Sequence, residues 1–270
     1  MGPYCTAVLL NPPSLRSPFS VMRANPTRPA LTVETTTLLY LFFGAICASL
    51  VLRSAPKLYK GRLEAIDNHL LRALRLPQNP AIPIGPKWLP QAAHDVTSLG
   101  SGTNLTIATA LLLGFLCLNR RFRAAGFLLS SLGSGLLVCQ SMKEFFVRRR
   151  PTVVPHLTHF DPASFPSGHS MGAAMVYLTL GSIISRQVTG SIAKSYFLSM
   201  ALVLAVIVGV SRVYLGVHYP SDVLAGWAAG SLWSGACAQA ARWLQHRGGV
   251  EPPTETGEAF DARHERLSRD

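Results

Sequence analysis

Six stretches of the chain are apolar, long, and poor in ionisable residues. They run roughly from Thr35 to Leu52, Val96 to Leu118, Ala124 to Met142, His169 to Ile184, Tyr196 to Val213 and Val223 to Trp243. Most approach the ~20 residues that cross a hydrocarbon core about 30 Å thick, and the fourth is the shortest. The last four carry no Lys, Arg, Asp or Glu in their interiors, as the cost of charge in lipid requires. The second contains the small polar run ThrSerLeuGlySerGlyThrAsn, which suits close helix packing better than lipid contact. The pattern predicts an all-α protein, a six-span transmembrane helical bundle filling residues 35–243.

Between the first two spans, the stretch Leu58 to Leu76 sets Leu63, Ile66, Leu70, Leu71 and Leu74 on one helical face and Lys60, Arg62, Arg72 and Arg75 elsewhere. This predicts an amphipathic helix, lying in the membrane interface or packed on the bundle as a lid; the periodicity fits both. The ProGlnAsnProAlaIleProIleGlyPro that follows reads as a turn-rich loop. Residues 1–34 read as a flexible basic leader. Its one apolar run, Ala7 to Leu10, is too short for the core of a signal peptide, and Met22 is an alternative start. Residues 244–270, opened by GlyGly and ProPro, read as a disordered acidic tail.

Composition sharpens the picture. Hydrophobic residues make up 49% of the chain and charged residues 14%, against a usual charged share of about 25%, which argues against an ordinary soluble enzyme. The net charge is +12, although the tail from Gly248 is itself acidic. Most cations sit beside apolar spans, as expected at anionic headgroups or an anion site and not of a nucleic-acid binder. The five cysteines form no CxxC pair, and Cys47, Cys117, Cys139 and Cys237 lie within apolar stretches, so neither a disulfide framework nor a zinc site is expected.

Topology then places the polar segments. The segment 143–169 follows the third span and the segment 210–222 follows the fifth. Two crossings separate them, so both emerge on one membrane face. The first segment carries Lys143, Arg148, Arg149, Arg150 and Pro151, which alone would suit a headgroup-binding cluster. Pro166-Ser167-Gly168-His169 then precedes an apolar helix: Ser167 can cap it, Gly168 admits close backbone approach, and the free N–H groups form an anion cradle. In the second segment, Ser211-Arg212 and His218 precede Pro220, which starts the last span. Asp222 falls in the first turn of that helix and can reach a ring nitrogen of His218.

Together the motifs at 143–151, 166–169 and 211–222, Lys-x6-Arg-Pro, Pro-Ser-Gly-His and Ser-Arg-x5-His-x3-Asp, resemble the three-part signature of the type 2 phosphatidic acid phosphatase superfamily, the lipid phosphate phosphatases. The resemblance covers Ala124 to Trp243 in detail and extends to the six-span layout. It implies that His218 attacks phosphorus through a phosphohistidine, that Asp222 holds its tautomer, and that His169 is the general acid and then the base. It further implies that Lys143, Arg150, Ser167, Gly168 and Arg212 bind the phosphoryl oxygens, with Arg148 in support. His156 and His159 receive no role.

The chemistry explains these residue types. Phosphoryl transfer spreads charge over equatorial oxygens, so catalysis depends on donors placed in advance. Lys143, Arg150 and Arg212 supply positive charge without a cofactor or metal. A rival divalent site drawn from His156, His159, Asp161, His169, His218 and Asp222 would be repelled by those cations. A phosphate or anion transporter could use the same cationic pocket, but its charges would be expected at mid-depth. Vanadium haloperoxidases share the motif set but are soluble.

The resemblance thus implies a metal-independent phosphatase of the bilayer acting on a lipid phosphate. Phosphatidate, phosphatidylglycerophosphate and undecaprenyl diphosphate all qualify, the last slightly favoured because the compact chain looks bacterial. It places the chain in a bacterial inner membrane, its site facing the periplasm or exterior.

Overall fold

The computed structural model of the chain describes residues 38, 41–46, 48–49, 62–158, 163–188 and 190–251. The leader, much of the first expected span and residues 252–270 lie outside them. From residue 62 on, seven helices follow one another among the described residues: α1 (Arg62–Ala73), α2 (Leu89–Ser98), α3 (Gly102–Leu118), α4 (Phe122–Phe146), α5 (Gly168–Ser185), α6 (Ser191–Tyr214) and α7 (Pro220–His246). Residues 41–46 are helical as well.

α5 is the axis of the bundle. Its Met171, Ala173, Ala174 and Leu178 are wholly buried, and its many small residues let neighbouring backbones approach. Gly226 and Gly230, one turn apart on α7, make the closest approach. A methyl group at Gly226 would stand 2.8 Å from the Ser167 carbonyl oxygen, and one at Gly230 would stand 2.6 Å from that of Met171. Glycine at these two positions therefore sets the spacing between the second and third motifs.

Outward faces are apolar. α4 buries Leu128, Leu132 and Cys139 while exposing Leu129, Leu136 and Leu137. In water such a surface is an aggregation hazard; in a bilayer it costs nothing. By length and composition α4 and α6 can each cross a membrane, and the bent pair α2–α3 can do so as one span.

That bend corrects the expected continuous span from Val96. The chain turns by 47° between α2 and α3. Ser101 caps the new helix by accepting from the Asn104 amide at 3.3 Å, and the Tyr177 hydroxyl donates to the stranded Leu99 carbonyl at 2.8 Å. Gly100 occupies the corner because a methyl group there would press on Val208 and on the Cβ and carbonyl oxygen of His169.

The expected amphipathic helix stops at Ala73, short of Leu76: Arg75–Leu76 (β1) instead pairs with Asn79–Pro83 (β2) of the expected loop in a short antiparallel hairpin, the one strand pair among the described residues of this mostly helical fold. It is fastened to the end of α6: Arg75 Nη1 donates to the Tyr214 carbonyl at 3.0 Å, and the Tyr214 hydroxyl donates to the Ile84 carbonyl at 2.8 Å. On α1 the apolar face divides. Leu63 and Leu71 are buried against the bundle, together with Asp67, while Ile66 and Leu70 face outward.

The first residues of the expected tail are structured. α7 continues to His246, and the Glu251 carboxylate accepts from the Arg123 and Ala124 amides, at 3.1 and 2.8 Å, at the start of α4. A negative charge there satisfies free N–H groups and complements the helix dipole.

Candidate active site

Three segments meet at one end of the bundle, and the main chain ties them together. The Ser164 amide donates to the Arg148 carbonyl at 2.9 Å and the Ser167 amide to the Asp222 carbonyl at 3.0 Å; within the third segment the Val217 amide donates to the Arg212 carbonyl at 3.3 Å.

The first segment ends α4 and continues in extended form. Lys143 lies in the last turn, with its ammonium over Gly168: a methyl group at that glycine would stand 3.4 Å from Nζ. Arg150 is buried. Its Nη1 donates to the Val217 carbonyl at 2.5 Å and lies 3.0 Å from His218 Nε2, while Nη2 donates to the Ala163 carbonyl at 3.2 Å.

In the second segment Ser167 is fully buried and caps α5, its Oγ accepting from the Ser170 amide at 3.4 Å and the Ser170 hydroxyl at 2.9 Å. His169, in the first turn, lies within electrostatic reach of Arg212, His218, Lys143 and Arg150. The third segment supplies Arg212 from the last turn of α6, with Nη1 donating to Thr97 Oγ1 of α2 at 3.2 Å. Gly216, at φ 77°, turns the chain and brings His218 inward.

A guanidinium can only donate, so its contact with Nε2 requires a lone pair on that nitrogen and puts the ring proton on Nδ1. Nδ1 in turn faces Asp222 Oδ2 at 3.6 Å, longer than a hydrogen bond. Burial pushes the His218 pKa down from 6.5 to about 4; Asp222 opposes this, and Arg150 and Arg212 add to it. The imidazole is therefore neutral at pH 7.

All nine residues singled out by the motifs, Lys143, Arg148, Arg150, Ser167, Gly168, His169, Arg212, His218 and Asp222, come to this end of the bundle. Arg148 turns toward carboxylates. Nη1 donates to Asp222 Oδ1 at 2.6 Å and Ser221 Oγ at 2.7 Å, Nη2 donates to Asp67 Oδ2 at 2.8 Å, and the guanidinium lies 4.2 Å from the Tyr219 ring centre. Burial works against its charge, but Asp222 and Asp67 more than offset that and raise its pKa.

Asp67, Thr97, Ser164 and Ser221 are participants that the motifs did not reveal. Asp67 had left a trace, as a lone carboxylate between Leu63 and Leu71 on the apolar face of an amphipathic helix. His156 Nε2 pairs with the Pro151 carbonyl at 2.6 Å, while His159 and Asp161 lie outside the described residues.

Fold and site together define a helical membrane protein whose cationic cluster, enclosing two histidines, is suited to an anionic group. Residues 124–245 match the family model described as PAP2 superfamily. The chain is 32% identical over 195 residues to phosphatidylglycerophosphatase B of Bacillus subtilis, covering 72% of this chain and 88% of that protein. It is 38% identical over 72 residues to an undecaprenyl-diphosphatase of Sulfolobus acidocaldarius, covering 25% of this chain and 29% of that one. The crystal structure of a transmembrane PAP2 type phosphatidylglycerolphosphate phosphatase from Bacillus subtilis superposes with a TM-score of 0.63 at 28% identity, over 78% of this chain and 98% of that one. The chain belongs to the PAP2 superfamily.

Proposed function

We propose that the protein is an integral membrane phosphatase hydrolysing a lipid phosphate or diphosphate without a metal. The supporting observation is the meeting of two imidazoles with Lys143, Arg150 and Arg212, side chains from three distant segments, at one end of an apolar bundle.

The substrate's phosphate enters among the three cations, whose charge stabilises the equatorial oxygens. Arg150 moves from His218 Nε2 to a phosphoryl oxygen and frees the lone pair. Nε2 then forms a bond to phosphorus as the ester P–O bond breaks, and His169, which regains a proton once the phosphate's negative charge offsets the burial and the neighbouring cations that hold its pKa down, gives that proton to the leaving oxygen. Asp222 steadies the positive charge that develops on the ring. In the second step His169 takes a proton from water, whose oxygen displaces Nε2 and releases phosphate. The Gly168 backbone and the start of α5 contribute N–H groups to the phosphoryl oxygens.

The substrate's tail stays in lipid while its phosphate meets the site at the interface. Similarity to a phosphatidylglycerophosphatase and to an undecaprenyl-diphosphatase supports substrates of those two kinds, with phosphatidate as a third. The protein crosses a bacterial inner membrane six times, with α1 at the interface and the site facing the exterior.

The test is phosphate release by the purified protein from those three lipids in mixed micelles with EDTA present and His218→Ala alongside. Release by wild type and none by the variant is expected. Loss of activity to the chelator, restored by a divalent cation, would refute metal independence; release by His218→Ala would refute the nucleophile.

A further inference from the structure

Asp67 is 2% exposed, and a carboxylate so far from water is costly unless every lone pair is answered. Here both oxygens are answered by two residues. Oδ1 accepts from the Ser221 amide at 3.1 Å, and Oδ2 accepts from the Ser221 hydroxyl at 2.5 Å and from Arg148 Nη2 at 2.8 Å. The other arm of the same guanidinium holds Asp222 Oδ1 at 2.6 Å. That leaves Asp222 Oδ2 to accept from Ser164 Oγ at 2.5 Å and the Tyr219 amide at 3.0 Å while facing His218 Nδ1.

We infer that Asp67 is a positioning residue for His218, acting along the line Asp67, Arg148, Asp222, His218. This rests on His218 being the nucleophile. It reassigns Arg148 from the phosphate to the nucleophile's own carboxylate.

A guanidinium prefers both oxygens of one carboxylate. Divided between two, it grips Asp222 by Oδ1 only, and Oδ2 stays directed at the imidazole. Two carboxylates on one cation also leave a net negative charge behind His218, which favours the ring when it becomes positive during attack. Without the Asp67 charge, Arg148 can close on Asp222 from both sides and cancel it. The loss falls on the chemical step, since none of these groups needs to touch the substrate.

Mere fastening of α1 to the bundle is the competing role for Asp67, and kinetics separates the two. Phosphate release and thermal midpoints are measured for wild type, H218A, D67N, R148K and D67N/R148K. Active wild type with inert H218A secures the hydrolase reading; failure of that pair would refute the reading itself, whatever D67N does. D67N is expected to lower kcat about 10- to 100-fold, as loss of an orienting partner does, with KM within about twofold. R148K should do the same, because one ammonium cannot span both carboxylates, and the double variant should be no worse than either single one. Unchanged kcat in D67N, or additive losses, would overturn the inference. If D67N does not fold, R148K decides: a reduced kcat at unchanged KM supports the relay, whereas unchanged kcat or a raised KM overturns it.

Discussion

Arg150 Nη1 lies 3.0 Å from His218 Nε2, so a cation rests on the nitrogen that would attack. The contact fixes the tautomer and covers the lone pair until an anion draws the guanidinium away. Arg150→Ala should therefore remove both a grip on phosphate and the order of the imidazole. A loss of about 100- to 1,000-fold in kcat, as for other preplaced donors, is expected from steady-state phosphate release. A variant within tenfold of wild type would remove Arg150 from the chemistry.

Leaving-group dependence separates the two imidazoles. His169→Ala should lose most turnover on an alkyl phosphate, about 100- to 10,000-fold for an absent general acid, and much less on an aryl phosphate whose oxygen departs unaided. His218→Ala should fail on both. Equal losses of His169→Ala on both esters would contradict the assignment.

Acid should loosen the fold through His218. Its folded pKa of about 4 is below the usual 6.5, so the unfolded chain binds more protons between those values. The associated stability is present above pH 6.5 and declines as the pH falls toward 4. Melting of wild type and His218→Gln across that window should show the larger fall in wild type; parallel curves would contradict a buried neutral imidazole.

Helix spacing is a separate test. Gly226→Ala puts a methyl group against the Ser167 carbonyl, whereas nothing lies within 4 Å of one at Gly102. The first should cost about 1–3 kcal/mol, as overpacking does, and lower kcat by shifting α5 against α7. Gly102→Ala should do neither. Thermal midpoints and turnover of both variants check this.

The motifs were legible because reactive side chains at fixed spacing announce themselves: Lys143 through Asp222 lie where their order implied. Helix placement followed from apolar length, and α4, α6 and α7 start and stop within a few residues of expectation. Other features depend on contacts with distant segments. The bend at Gly100 exists because His169 and Val208 crowd that corner, and the hairpin exists because Arg75 and Tyr214 hold it. Asp67 reads in sequence as one polar residue on an amphipathic helix, since its partners Arg148 and Ser221 lie 81 and 154 positions away.

The two amide-to-carbonyl links that join the motif segments make no use of side chains. Ser164 to Arg148 and Ser167 to Asp222 would persist under almost any substitution at those positions. The scaffold is thus indifferent to what it displays. Descendants of such a chain can exchange the groups that greet the lipid and acquire new preferences while the frame beneath stays as it was.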